Sequence, residues 1–365
     1  MQKVWNYGSF LQALSLKTEF ERRGHEVYFI DIIPGRRVAE AAPAEPRNGK
    51  KLDRYLINRI RNRFFRAKMT RIHVDTVQTY LKTEKTLPEP LRYGLAVIGS
   101  DEVFNAAGDK PWGFSPQLFG RIDRADRVAT YAASCGDTTA EDAVRLGLDG
   151  EIRDGFRRIF AFSVRDENTR AFVKRFAEIE PRRHVDPVFL ADYEPYLRNV
   201  SVRLPKKPYV LIYAYNNRIC DPREIDAIKR FAAGRGLGIL CVGMQQRWCR
   251  HNVTASAFEL LAYVKAADCV ITDTFHGTVF SIKYKRPFAA FIRESNRNKL
   301  GDLLALFGLE DRAVGSPERL ETVMAAAIDF ERVHGILETE KQRAARYLDE
   351  ICLAASSDSS GPETL

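Results

Sequence analysis

Long hydrophobic runs are missing from this chain. No stretch of about 18 apolar residues occurs in it, so the sequence predicts no membrane-spanning helix. No apolar segment near the N-terminus reads as a secretion signal, and the expected location is the cytoplasm. Paired cysteines are missing too. Cys135, Cys220, Cys241, Cys249, Cys269 and Cys352 are scattered without a C-x-x-C pair, which argues against a zinc site or a disulfide framework and for reduced thiols. There is no dinucleotide fingerprint, Walker loop, nucleophile elbow or zinc-ligand spacing, so neither a metal nor a bound cofactor is expected. The net charge of +9 suits anionic ligands or an anionic membrane surface. With no recognised nucleic-acid module, nucleic acid is not an expected partner.

What is present is an α/β rhythm. At 365 residues, 45% hydrophobic and 29% charged, the chain can bury two cores. Asn6-Tyr7-Gly8 reads as a glycine turn entering an amphipathic helix, with Glu26 to Ile33 as a strand after it. Such a turn normally follows a strand, so the first strand of the unit reads as shortened or missing. Lys50 to Arg71 reads as a basic helix with Leu52, Leu56, Ile60 and Phe64 on one stripe. It can lie on an anionic membrane surface, gather an acidic substrate, or be a solvated helix that docks that stripe on the domain. Strands follow at Leu95–Ile98, Arg127–Ser134 and Ile159–Val164, with a helix from about Ala140 to Arg158. The first domain is placed at 1–192 and a linker at 193–207. A second series at 208–315 has strands at Tyr209–Tyr215, Gly238–Gly243 and Cys269–Thr272. Two helices at 316–355 can cross back over the first domain, and 356–365 reads as a disordered tail.

Charged and small residues collect where these strands end. Gly99-Ser100-Asp101 with Asn105 forms a turn able to cradle a ligand. Arg165 follows Val164 and can clamp a carboxylate or phosphate, or pair with Asp166, Glu167 or another acid. His276 stands in Thr274-Phe275-His276-Gly277, at a strand-to-helix turn, where open parallel sheets bind ligands and Gly277 allows close backbone approach. Two doubly wound Rossmann-like halves with such loops describe a cleft enzyme of the GT-B type.

The assembled motifs resemble the polysaccharide pyruvyl transferase family. They are Asn6-Tyr7-Gly8 with Leu11-Gln12-Ala13, Ile98-Gly99-Ser100-Asp101, Tyr131-Ala132-Ala133-Ser134, Ser163-Val164-Arg165-Asp166-Glu167, Asp186-Pro187, and Thr272 to Gly277. The resemblance implies a transferase that moves pyruvate from phosphoenolpyruvate to a sugar, as a ketal, in cell-surface or exopolysaccharide assembly. It implies His276 as the catalytic histidine and Arg165 as the phosphoenolpyruvate-binding arginine. One characterised pattern has an arginine two residues before the His-Gly pair; Thr274 stands there.

The residue types fit that chemistry. Ketal formation needs a proton at C3 of the enol, which a near-neutral histidine can deliver. The donor's anionic groups need fixed cations, supplied by Arg165 with Lys299 as the second choice. Gly8, Gly99, Ser100, Asp101, Asn105, Thr274, Gly277 and Lys299 are the expected substrate-binding positions. The expected partners are phosphoenolpyruvate and a sugar or lipid-linked saccharide, with peripheral contact to an anionic membrane. A GT-B glycosyltransferase using a nucleotide sugar is the first rival, and a non-catalytic binder of phosphoenolpyruvate or sugar the second.

Overall fold

The computed structural model describes residues 6–38, 52–83, 91–108, 110, 112–216 and 218–357, with side chains in the second stretch from Arg63 onward. Two parallel sheets carry it. The first is built from β1 (Tyr93–Asp101), β2 (Ala125–Ala133), β3 (Ile159–Ala161), β4 (Ser163–Val164) and β5 (Arg182–Arg183). Its order is β1-β2-β4-β5, with β3 also on β2. The second contains β6 (Tyr209–Tyr213), β7 (Gly238–Val242), β8 (His251–Val253), β9 (Cys269–Thr272), β10 (Phe288–Phe291) and β11 (Ala313–Val314). Its order is β11-β10-β9-β6-β7-β8.

Side-chain alternation sorts each strand onto two faces. In β6, Tyr209, Leu211 and Tyr213 join one core while Val210 and Ile212 join another. In β2, Val128 faces one core, and Ala129 and Tyr131 the opposite one. Helices α3 (Ala140–Arg145), α4 (Asp149–Phe156) and α5 (Glu167–Ala177) cover one face of the first sheet. The other face is covered by α12 (Phe330–Ser357), whose Tyr347 hydroxyl donates to Thr130 O at 2.8 Å. The C-terminal helix thus crosses back to the first sheet.

Helix α1 (Tyr7–Glu21) lies between the two halves. Phe10, Leu11 and Leu14 enter the second sheet's core, while Leu16 and Phe20 enter the core of the first. A helix wedged between two layers needs apolar residues all round. Its buried polar residues, Ser9, Gln12, Ser15 and Glu19, must therefore find specific partners.

Four expectations change. Glu26 to Ile33 is not a strand: among the described residues it pairs only through a bridge from Phe29 to Thr83, and Phe29 N donates to Lys82 O at 2.9 Å. A cavity of about 510 Å³ separates it from β1, lined by Leu95, Val97, Leu16 and Phe20 among others, so the backbones cannot meet. The helix expected from Ala140 to Arg158 is broken, because Gly147 turns left-handed at φ +67° between α3 and α4. The basic helix extends further, as α2 (Leu52–Tyr80). Phe64 is 72% exposed, whereas Phe65, Met69, Ile72, Val77 and Tyr80 pack on the second sheet's core. Of the expected stripe Phe64 faces outward, and its neighbour Phe65 belongs to the face that docks. The shortened first strand, the side chains of Leu52, Leu56 and Ile60 and the tail from Asp358 lie outside the described residues, while Ser356 and Ser357, placed in that tail, continue α12.

Candidate active site

Helices α8 (Ala257–Ala266) and α9 (Phe275–Lys283) flank β9, and the turn from β9 into α9 is built from side-chain hydroxyls. Thr272 Oγ1 donates to Tyr213 O at 2.6 Å and accepts from Thr274 N at 3.0 Å. Thr274 Oγ1 caps the helix, accepting from Gly277 N at 2.9 Å. A Cβ on Gly277 would lie 2.1 Å from Thr272 Oγ1, so only glycine fits. Thr274 is consumed in this capping and lends no charge. His276 falls within the first helical turn, one step past the expected loop.

Gly8, just inside α1, faces the imidazole: a Cβ there would lie 2.0 Å from His276 Nδ1. Ser9 Oγ donates to Asp101 Oδ2 at 2.5 Å, and Gln12 Nε2 donates to Asp186 Oδ2 at 2.5 Å. Asp101 ends β1 with a left-handed φ of +78°, beside Gly99 at +126°. Non-glycine residues seldom take such a conformation, and where they do the strain clusters at functional sites.

Arg165, at the end of β4, is almost fully buried and donates through Nη1 to Asp186 Oδ2 at 2.9 Å. Its guanidinium lies 4.3 Å from the Phe275 ring centre, so the first half's arginine rests on the second half's helix start. His276 Nε2 is 3.7 Å from the same Asp186 oxygen. The carboxyl ends of the two sheets therefore face each other here.

Lys299, on α10 (Arg297–Phe307), is no solvated helix start. It pairs with Glu102 Oε1 at 2.7 Å, and Glu102 also takes Lys110 at 3.1 Å. Burial opposes ionisation of Glu102, but Lys299 and Lys110 hold it well below the usual carboxylate range. Ser100 donates to Ala132 O at 2.7 Å, and Asn105 bonds Glu102 and Thr138. These two side chains shape the loop.

Three buried polar atoms around this point have no hydrogen-bond partner among the described residues: Gln12 Oε1, Arg165 Nε and His276 Nε2. Such atoms cost about 1–3 kcal/mol each when left unmade, and their convergence marks a place built for a polar ligand. Burial lowers the pKa of His276 first of all; Asp186 and Asp101 oppose this, and Arg165 and Lys299 add to it. Burial lowers that of Arg165 too, but Asp186, Asp101 and Asp166 more than reverse it, leaving a permanent cation beside a tunable imidazole. Among the described residues no His, Cys, Asp and Glu cluster could hold a metal ion.

The family model described as Polysaccharide pyruvyl transferase matches residues 6–295. The chain belongs to that family. The family is named for transferases that modify polysaccharides. No curated protein matches it. Among solved structures it is similar to the glycosyltransferase of kitacinnamycin, at 12% identity and a TM-score of 0.41, over 76% of this chain and 88% of that one. It is also similar to a chain of the GtfA/B complex, at 12% identity and a TM-score of 0.37 over 64% of this chain. The UDP-GlcNAc 2-epimerase of Methanocaldococcus jannaschii gives 12% identity and a TM-score of 0.32 over 58% of this chain. This family member spans 53% and 62% of the length of the last two.

Asp186, Gln12 and Ser9 carry contacts that the strand-end pattern did not assign. The signal for Asp186 was its place before Pro187. For Gln12 and Ser9 it was polarity on a helix otherwise buried all round.

Near the site, Asp273 follows β9 fully buried, with Oδ1 accepting from Tyr215 N at 3.2 Å and Oδ2 without a hydrogen bond, 3.9 Å from Arg293 Nε. Burial pushes its carboxyl up to about 6, against the pull of Arg218 and Arg293. The folded state then binds this proton more tightly than the unfolded state does. Stability should therefore fall as pH rises from about 4 to about 6 and stay low above that. Asp273→Asn should flatten this slope and stabilise at pH 7.5, by up to about 2–3 kcal/mol. Melting curves of both proteins from pH 4 to 8 check it, and parallel curves would refute it.

Proposed function

We propose that this family member transfers pyruvate from phosphoenolpyruvate to two hydroxyls of a cell-surface or exopolysaccharide sugar, forming a ketal. The observation that carries the reading is the convergence of a buried arginine, a buried histidine and two aspartates at the facing strand ends. Arg165 would take the donor's carboxylate or phosphate, and its unpartnered Nε offers a further donor. His276, as imidazolium, would give its proton to C3 of the enol, leaving C2 electrophilic. A sugar hydroxyl adds at C2 and gives up its proton. Inorganic phosphate leaves with the C2–O bond pair, and a second hydroxyl closes the ring with loss of another proton. Asp101, held by the Ser9 hydroxyl, suits the role of receiving an acceptor proton. Its carboxylate is favoured by Arg165, Ser9 and His276, which outweigh burial and Glu102.

Thermal stability with ligand tests the donor. A ligand bound only by the folded state stabilises by about 2.7 kcal/mol at 100 times its Kd. Phosphoenolpyruvate should raise Tm in the wild type and much less in Arg165→Lys, with inorganic phosphate released when a saccharide acceptor is added. A shift from nucleoside diphosphates or nucleotide sugars alone would replace this reading by a glycosyltransferase. Binding without phosphate release across an acceptor panel would replace it by a binding protein.

No described helix is long and apolar enough to cross a membrane. On the outward side of α2, exposed Phe64 stands among Arg63, Arg66, Lys68 and Arg71. This supports a peripheral contact with anionic lipid, where a lipid-linked acceptor would be found. Co-sedimentation with phosphatidylserine vesicles should be weakened by Phe64→Asp and by salt, and vesicle binding indifferent to both would exclude the contact.

A further inference from the structure

Asp186 has no step in the reaction outlined above, yet three elements meet on one of its oxygens. Oδ2 accepts from Gln12 of α1 at 2.5 Å and from Arg165 after β4 at 2.9 Å, and lies 3.7 Å from His276 Nε2 on α9. Oδ1 accepts from Val188 N at 3.0 Å, which fixes the carboxylate to the start of the turn Pro187–Phe189. That turn is anchored in turn by Phe189, which is buried against Phe307 with ring centres 5.6 Å apart. The carboxylate is 1% exposed and cannot swing away to solvent. Two of its three neighbours make hydrogen bonds to Oδ2, while the imidazole stands just beyond reach with Nε2 unpartnered. Arg165 and His276 therefore compete for one oxygen.

We propose that Asp186 is the positioning carboxylate of this site, sharing Oδ2 between Arg165 and His276 so that an anion drawing on Arg165 hands the oxygen to the imidazole. This rests on the reading that the donor is an anion held by Arg165. The charges facing His276 are Asp186, Asp101, Arg165 and Lys299, with Gly8 and Phe280 as uncharged walls. An incoming phosphate and carboxylate offset the two cations, leaving the two carboxylates to favour the imidazolium. Donor binding and proton uptake at His276 are then linked, and each strengthens the other. A general acid buried so deeply gains its proton when the donor arrives.

The test is an NMR titration of histidine labelled with ¹³C at Cε1, with the His276 signal assigned by its loss in His276→Gln. Wild type, Asp186→Asn, Arg165→Met and Arg165→Met/Asp186→Asn are titrated, each also with phosphoenolpyruvate. In the wild type, phosphoenolpyruvate should move the His276 midpoint to higher pH. Asp186→Asn should move the ligand-free midpoint to lower pH, so that at a fixed pH above it the protonated fraction falls about tenfold or more. If unpaired Arg165 keeps that variant from folding, the double variant compared with Arg165→Met should show the same difference. Equal midpoints with and without the carboxylate would overturn the assignment of Asp186. A midpoint that depends on Asp186 in a protein that ignores phosphoenolpyruvate would keep Asp186 and sink the donor instead.

Discussion

His276→Gln should lower kcat by about 10²–10⁴, the usual worth of a positioned general acid, while phosphoenolpyruvate still raises Tm. Glutamine fills most of the imidazole's space beside Gly8 and Phe280 but cannot carry the proton. His276 Nε2 makes no hydrogen bond among the described residues, so no bond of that atom is lost with it. Activity should also depend on pH in a definite direction. Burial lowers the pKa of His276 in the free protein, so kcat/KM should fall as pH rises through that lowered value and kcat at saturating donor through a higher one. The glutamine variant's residual rate should lack both limbs. Phosphate release measured from pH 5 to 8 with a saccharide acceptor checks both. A glutamine variant within tenfold of wild type would place the proton source elsewhere.

Much of the second half was legible because its strands are short apolar runs with nothing to compete. Val210 to Ile212 and Val270 to Ile271 are buried on both faces, and a covered parallel strand reads as such a run. His276 and Arg165 could be picked out because each stands close behind such a run, His276 after Cys269–Thr272 and Arg165 after Ile159–Val164. Glu26 to Ile33 read as a strand on the same criterion and failed, since β-propensity names a residue's fitness for a sheet and not the presence of a neighbour. The basic helix failed differently. Its apolar residues are too many for one stripe, and whether Phe64 or Phe65 turns inward was decided by the second sheet's core. Asp186 was legible as a motif but not as a hub. Gln12, Arg165 and His276 lie 174, 21 and 90 positions away from it, and only the folded chain brings them to one oxygen.

Arg165→Met should destabilise the protein by about 3–5 kcal/mol, because it strands the Asp186 carboxylate inside the protein. Asp186 would keep the Gln12 amide, Val188 N–H and the nearby imidazole but no permanent cation, and the cation resting on Phe275 would be lost as well. Adding Asp186→Asn removes the stranded charge. The double variant should therefore recover much of that stability, and the coupling between the two sites should exceed about 1 kcal/mol in a denaturant double-mutant cycle. Donor binding should follow the opposite logic. It depends on a cation for the donor's anionic groups, so neither Arg165→Met nor the double variant should gain stability from phosphoenolpyruvate. A single variant that loses less than about 1 kcal/mol would mean that the pair does not hold its charge in the native state. A double variant that is restored in stability and also binds the donor would show that the arginine serves the fold alone, and would leave Lys299 as the cation to examine. Stability returning without donor binding is the outcome expected if Arg165 serves both. The buried pair would then be kept in the fold for what the guanidinium can let go of when a better anion arrives.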